Sequence, residues 1–434
     1  MDMRLASVLI LTGLLAAPHA YAAEFAPEPS GNADAIGKKR LYRSQTSLYR
    51  ILALPRYALE LPWYPAKRFL DFSERTDLFA RATDLFYFNE AKTSGWFPKF
   101  SSGESSGGAG LSLFHHDLFK KKHQANISFS YAAEDEFFGR AAYTVDPTPD
   151  SSYYLKVESD YIRDRDIEIY TTPTPSGGPI LGAKTLRSDR RSYAFTSLRG
   201  KLTAGKKMSK TVRMAAFVRG ARSKAGHGAQ GFAPVPTNAP GFGESVGMAG
   251  GGMELIWDFR NDPVRPFYGC LVQAHAEALG SGDSTAAGDR FAYVGHSLTA
   301  EHYFPLYDPH RTLVFRHSLR RVDPIGDKRI PFYDLPRLDE NHLLRSFERN
   351  RFQDRGALSF NMEYRYPIWV TWDAFFFFDG GQSFEHYSDL HGPDFRFSEG
   401  LGIRMMSKDK LLFVTQYAHG REGGRFQVLL GQAF

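Results

Sequence analysis

Arg345, Glu363 and Asp379 are the residues whose types and placement promise specific chemistry, and that chemistry is ion pairing. Arg345 sits in the longest connector of the chain, Asp323–Arg355. Structureless connectors above about 15 residues are uncommon in compact domains and are usually functional or disordered. If this one folds back into the protein, its guanidinium needs a carboxylate that can accept two parallel N–H bonds. Glu363 lies on the polar face of the strand that follows, and Asp379 interrupts the aromatic run Phe375–Phe378 of the next one. Both are suitable partners. The competing reading leaves Arg345 as an exposed loop arginine.

Catalytic patterns are present in form only. Gly103-Glu-Ser-Ser-Gly107 matches G-x-S-x-G. A nucleophile elbow needs a strand before it and a helix after it, whereas this Gly/Ser segment joins two strands. Gly247–Gly252 is glycine-rich but lacks the Gly-Lys-Ser/Thr of a phosphate loop; its small residues ease strand curvature. His115, His116 and His123 could ligate a metal, yet a solvated turn accounts for them. His296 and Ser297 are adjacent on one strand, so their side chains point to opposite faces and do not form one dyad. Cys270 is the only cysteine, which removes disulfides and cysteine-based zinc sites. At a strand start it serves as a small apolar residue. The expectation is a protein that is not an enzyme and carries no cofactor and no metal.

The elements that must hold the arginine and its partners are strands. Of 434 residues, 42% are apolar, 24% charged and 15% aromatic, with a net charge of +6. This excludes a disordered chain, and a mean hydropathy of −0.37 excludes a bundle of membrane-spanning helices. No basic run carries interleaved aromatics, so nucleic acid is not an expected partner. Residues 1–22 have the outline of a secretory signal: Arg4, the apolar run Leu5–Ala17, then the small-x-small site Ala20-Tyr21-Ala22. That run is shorter than the ~20 residues of a helical span. No later run reaches that length, so any membrane crossing must be made by strands. Pro55, Pro62 and Pro65 break up the next segment, and Leu78, Phe79, Ala82, Leu85 and Phe86 recur at helical spacing. Residues 23–94 are therefore expected to form a periplasmic segment with one or two helices over Lys67–Phe88. These helices would cover one end of the main domain, plug a lumen or lie in a membrane interface.

Residues 95–434 alternate. Leu358, Phe360, Met362, Tyr364 and Tyr366 are apolar or aromatic, with Ser359, Asn361, Glu363 and Arg365 between them. In a strand the two sets face opposite sides. One such strand fits a transmembrane barrel or a soluble sandwich equally. Connector lengths discriminate better. Short ones such as Asp146–Ser151, Gly205–Ser209 and Ser407–Lys410 alternate with Arg163–Asp189, Ser223–Glu244 and Asp323–Arg355. Short periplasmic turns and longer external loops alternate in this way in outer-membrane barrels. The expected fold is all-β, an antiparallel transmembrane barrel of about sixteen strands. The last expected strand, Arg425–Phe434, is placed to pair with the first, because an open edge in lipid would leave backbone groups unsatisfied.

Four local matches carry a family resemblance. Trp257-Asp-Phe-Arg-Asn-Asp-Pro-Val-Arg-Pro-Phe-Tyr-Gly269 resembles the D-x-R-x-(D/N)-P…P-x-x-G turn of the outer membrane protein 85 superfamily, the bacterial surface antigen or BamA/TamA-like barrels. Asp258, Arg260, Asp262 and Gly269 are its matching residues. Leu344-Arg345-Ser346-Phe347 resembles the V/L-R-G-F/Y tip of that family's sixth external loop. Phe378-Asp379-Gly380-Gly381 resembles its F-x-D-x-G strand element, and Gly431 with Phe434 its C-terminal insertion signal. The resemblance covers Gly95–Phe434 and is strongest after Val246. It implies a barrel in the outer membrane of a Gram-negative bacterium, bathed in outer-membrane lipid and inserted by the barrel assembly machinery. It implies that pairing of Arg345 with Glu363 and Asp379 locks the loop inside the lumen. It further implies help in inserting or assembling outer-membrane proteins or lipids, with unfolded outer-membrane proteins as clients. A passive channel or structural barrel is the alternative. Two departures stand out. Ser346 occupies the family's glycine position, which would cost about 1 kcal/mol if that position needs a left-handed backbone. Residues 23–94 lack the strand patterning of periplasmic repeat domains, so the chain resembles a short branch of the family without them.

Overall fold

The structure is a computed structural model. It describes residues 84–430 apart from 103–106, 133–135, 146–151, 174–178, 181–184, 229–231, 283–289, 307, 339–343, 369–371 and 407–410. The expected signal at 1–22, most of the segment 23–94, residues 103–106 of the G-x-S-x-G match, and Gly431 and Phe434 lie outside the described residues.

Long strands follow one another along the chain. They are β1 (Ser94–Ser102), β2 (Gly107–Leu118), β3 (His123–Ala132), β4 (Glu136–Val145), β5 (Tyr153–Tyr170), β6 (Arg190–Lys207), β7 (Val212–His227) and β8 (Ser245–Asp258). They continue as β9 (Gly269–Ser281), β10 (Ala292–Leu306), β11 (Asp308–Pro324), β12 (Gly356–Pro367), β13 (Trp372–Phe384), β14 (Arg396–Met406), β15 (Leu411–Gly420) and β16 (Gly423–Leu430). Each pairs antiparallel with the next, as hairpin connections require. β16 returns to β1 at Ser101↔Leu429. A two-residue segment, Ala233–Pro234, pairs parallel with β6 and completes a 17-stranded sheet.

The two faces of the sheet differ in polarity, and the polar face is the covered one. Ser112, Ser128, Ser197, Thr203, Ser223, Ser318, Ser359, Asn361 and Gln416 are buried. The opposite face exposes Ile127 and Phe129 of β3, Leu155 and Val157 of β5, and Leu198 and Leu202 of β6. Val218, Met253 and Phe426 are 59%, 68% and 70% exposed. A soluble sheet buries its apolar side and wets the other. This sheet does the reverse, which is the distinction that one strand of sequence did not supply.

Three expectations are corrected. β5 and β7 run on to Tyr170 and His227, past the loop starts read from the sequence. A bulge between Asp164 and Ile167 breaks the alternation but not the pairing of β5 with β6. Beyond it, Ile169, Tyr193, Phe195 and Ala225 form a cluster with Val235, Ala239, Phe332 and Tyr333 from the connectors, which makes the extra length worthwhile. Before β1, Tyr87 and Phe88 pair with it instead of continuing a helix: Tyr87 bridges Gly95, and the Phe88 N–H donates to Ser94 O at 2.9 Å. Asn89 closes that turn by accepting the Thr93 N–H at 2.9 Å.

The Asp258–Gly269 motif is a built turn between β8 and β9. Arg260 donates to both oxygens of Asp258 at 2.9 and 2.8 Å. Asp262 accepts the N–H groups of Val264 and Arg265 at 2.7 and 3.0 Å. Gly269 has φ +102°, and a Cβ there would lie 2.3 Å from Phe259 O. Gly269→Ala is therefore expected to destabilise the fold by about 2 kcal/mol or more. Urea unfolding in detergent measures this, and an unchanged midpoint would show that the turn tolerates a side chain.

Candidate functional site

The connector between β11 and β12 folds inward, and Arg345 is its anchor. Leu344 and Phe347 flank it in an apolar cluster with Leu338, Phe352 and Ala357, which fixes the backbone of the tip. Arg345 Nη2 lies 2.8 Å from Glu363 Oε1 and 3.2 Å from Asp379 Oδ1. Its backbone N–H donates to Asp379 Oδ2 at 3.4 Å, and Nη1 donates to Gln416 Oε1 at 3.4 Å. The guanidinium carbon stands 3.8 Å from the Phe377 ring centroid, which adds a cation–π contact. Asp379 is fully buried and accepts Asn361 Nδ2 at 2.8 Å and Ser398 Oγ at 3.0 Å. Glu363 is held from the other side by Arg365 Nε at 3.0 Å. The structure thus brings Arg345 within ion-pair distance of both carboxylates.

Four partners escaped the sequence reading: Asn361, Phe377, Ser398 and Gln416. Two of them follow from register once the strands are known. Asn361 and Ser398 are the cross-strand partners of Asp379 on either side. Gln416 Nε2 in turn donates to Gln427 Oε1 at 2.6 Å, so the network starting at Arg345 reaches β16.

Ser346 is buried without strain. Among the described residues of this connector the left-handed positions are Gly326, with φ +65°, and Asn350, with φ +59° and held by Arg337 Nη1 at 2.6 Å. The backbone cost expected for serine at the glycine position does not arise. Space comes from Gly420, where a Cβ would lie 2.2 Å from Ser346 Oγ.

A second fastening lies further along the connector. Arg351 donates to Glu422 at 2.8 and 3.0 Å and to Thr185 Oγ1 and O at 2.9 Å. Glu348 accepts Arg187 Nη2 at 2.7 Å and the Tyr170 hydroxyl, while Arg425 donates to Phe347 O. On the opposite wall Phe332 meets Tyr193 and Tyr333 meets Phe195, with ring centroids 4.9 and 5.1 Å apart. The connector therefore crosses the interior and grips both walls.

Several other charged groups of the interior pair with one another. Arg265 from the β8–β9 turn pairs with Asp373, which also lies 3.1 Å from Arg404. His275 of β9 is the cross-strand partner of Ser297. Its ring nitrogens face Glu254 at 3.6 Å and Glu277 at 3.4 Å, so neither is free to act as a base toward that hydroxyl. His296 points to the outer face, as alternation requires. His123 Nδ1 meets the Tyr143 hydroxyl at 2.6 Å, and His115 Nδ1 accepts the Asp117 N–H at 3.2 Å. Among the described residues no group of three His, Cys, Asp or Glu side chains is placed to hold a metal ion.

Two solved structures share this architecture. BamA from Haemophilus ducreyi lacking POTRA domains 1–3 superposes with a TM-score of 0.56 at 13% identity, over 78% of this chain and 70% of that one. The fold is that of the BamA barrel. CdiB from Acinetobacter baumannii superposes with a TM-score of 0.50 at 11% identity, over 77% of this chain and 59% of its own length. No protein-family model and no curated protein matches the chain. The likeness is one of fold, carried at an identity where few side chains coincide.

Arg345→Ala would leave Asp379 buried and uncompensated, at an expected cost of about 3–5 kcal/mol. Adding Asp379→Asn should recover part of the loss. Urea midpoints of the single and double variants decide, and a single variant as stable as the parent would sink the anchor. The connector also sets a pH dependence. Burial pushes the Asp354 carboxyl up from 3.8 to about 6, with Glu385 adding to the rise. A raised folded value means that its stabilising contribution is complete below the unfolded value of 3.8 and is lost as pH climbs through about 6. Asp354→Asn should flatten the stability curve over that interval, measured by urea unfolding across pH.

Proposed function

We propose that this chain spans the outer membrane of a Gram-negative bacterium and assists the insertion or assembly of outer-membrane proteins or lipids. The apolar outer face and polar interior support the spanning role, since only a sheet that pairs all its strands satisfies its backbone in hydrocarbon. One observation carries the assembly role. β16 meets β1 at the registered pair Ser101↔Leu429. Every other neighbouring pair of long strands is joined in sequence, whereas β1 and β16 are held by strand pairing alone. Such a seam is the place where the wall can part without straining a connector and offer strand edges to an incoming chain. The rim also descends toward the seam. Along the register Asp379↔Ser398↔Gly420, β15 ends level with Asp379, while β13 continues to Phe384. A lower wall favours a locally thinner bilayer, which eases insertion beside it.

A passive channel is the second reading, favoured by the polar interior. The connector gripping both walls, with Phe332 and Tyr333 set across the interior, opposes a wide steady pore.

The test is client insertion. Folding of an unfolded test barrel into liposomes would be timed with and without the protein. A second sample would carry Ser101→Cys and Leu429→Cys in a Cys270→Ser background. Registered antiparallel partners lie within disulfide reach. Acceleration of several-fold is expected from the parent, lost when the seam is oxidised and regained on reduction. No acceleration by the parent, together with large steady single-channel currents, would favour the channel instead.

A further inference from the structure

The aromatic run of β13 has a face that the Arg345 anchor does not use. Phe375, Phe377 and Asp379 turn inward, so Phe378 turns outward. It stacks on Phe397 of β14 with centroids 5.5 Å apart and planes at 21°. Phe360 of β12 adjoins both, 6.1 Å from Phe378 and 6.3 Å from Phe397. Phe395 lies 6.3 Å from Phe397 and extends the patch. Phe397 is 44% exposed. Three of these rings, with Arg396, His419 and Arg421, line a groove of about 380 Å³.

The rim of the groove carries a guanidinium whose natural partner is engaged elsewhere. Arg421 is exposed in the turn between β15 and β16. Its neighbour Glu422 is drawn to the interior side by Arg351 at 2.8 Å. Among the described residues Arg421 has no ion pair or hydrogen bond. The acid on the groove, Glu399, faces His419 at 4.0 Å.

We propose that this groove binds a phosphorylated outer-leaflet lipid, with the phosphate on Arg421 and an acyl chain across the Phe378–Phe397 patch. The inference rests on the membrane reading above. An arginine fork matches phosphate oxygens, and aromatic rings sit well where chain meets headgroup. A neutral lipid would cover the rings and leave Arg421 without an anion beside hydrocarbon. Free phosphate would answer the arginine and leave four rings uncovered. The lipid phosphate satisfies both parts of the groove. It would lie beside the β1–β16 seam, on the side of β16 away from β1.

Native mass spectrometry of the folded chain tests the assignment, with three probes: phosphorylated lipid A, dephosphorylated lipid A and inorganic phosphate. Retention of the phosphorylated form should exceed that of the dephosphorylated form by about tenfold, the ratio of one strong charge-assisted contact. Arg421→Glu should abolish that preference, and Arg421→Gln should weaken it. Phe397→Ser should lower retention of both lipid forms alike. Equal retention of the two forms by the parent would overturn the proposal. So would displacement of the lipid by millimolar inorganic phosphate, which would make the site an ion site. Each variant must enter liposomes as the parent does. A parent chain that fails to enter them would remove the membrane reading and this site with it, whereas normal entry with equal retention removes the site alone.

Discussion

Asp379 has no contact with water, and that burial organises the half of the molecule around it. A carboxylate sealed from solvent must have its charge answered by protein groups. Asn361 and Ser398 supply neutral donors from the neighbouring strands, and Arg345 supplies the charge. Arg345 belongs to no strand. Answering the carboxylate therefore obliges a whole connector to fold inward. Such a pair gives little net stability over an apolar substitute. Its effect is placement: only one conformation of the connector brings the guanidinium over Phe377 and between two acids.

Once the tip is placed, the rest of the connector must reach across. Arg351 and Glu348 tie it to Thr185, Arg187 and Glu422, and Phe332 and Tyr333 fill a hydrophobic hollow on the opposite wall. One segment thus contacts β12 and β13 through Arg345 and β6 through Phe332 and Tyr333. Because Gln416 passes the network on to Gln427 of β16, the anchor and the β1–β16 seam share a physical connection. Any parting of that seam works against, or with, the same set of hydrogen bonds.

The strands were legible because period-two alternation is a local property, and here it runs the length of most strands. Arg345, Glu363 and Asp379 were legible for a related reason: a charge inside an aromatic run, or on a polar face, has to be explained by something. Gln416, Thr185 and Glu422 gave no such signal. A glutamine or threonine on a strand or turn is unremarked until the fold brings a distant arginine to it, and Thr185 and Arg351 are separated by 166 positions. The ends of β5 and β7 were hidden differently. The charged stretch Asp164–Asp166 has the composition of a loop, yet it is a bulge, and the apolar residues beyond it are covered by neighbouring strands together with connectors distant in sequence. Tyr87 and Phe88 close the range expected to be helical, Lys67–Phe88, and there the Asn89 turn overrides it.

Ser346 shows how a local departure can be absorbed by geometry elsewhere. A glycine at a loop tip can serve backbone freedom or closeness of approach, and the sequence does not separate the two. In this chain freedom is needed at Asn350, four positions later, where a left-handed backbone is found. What position 346 needs is room against β15, and that room is made by the partner surface, at Gly420. The tip therefore keeps its arginine in register while carrying a side chain that would otherwise collide with the wall. The constraint is on the gap between loop and strand, so a small residue on either side of it meets the requirement.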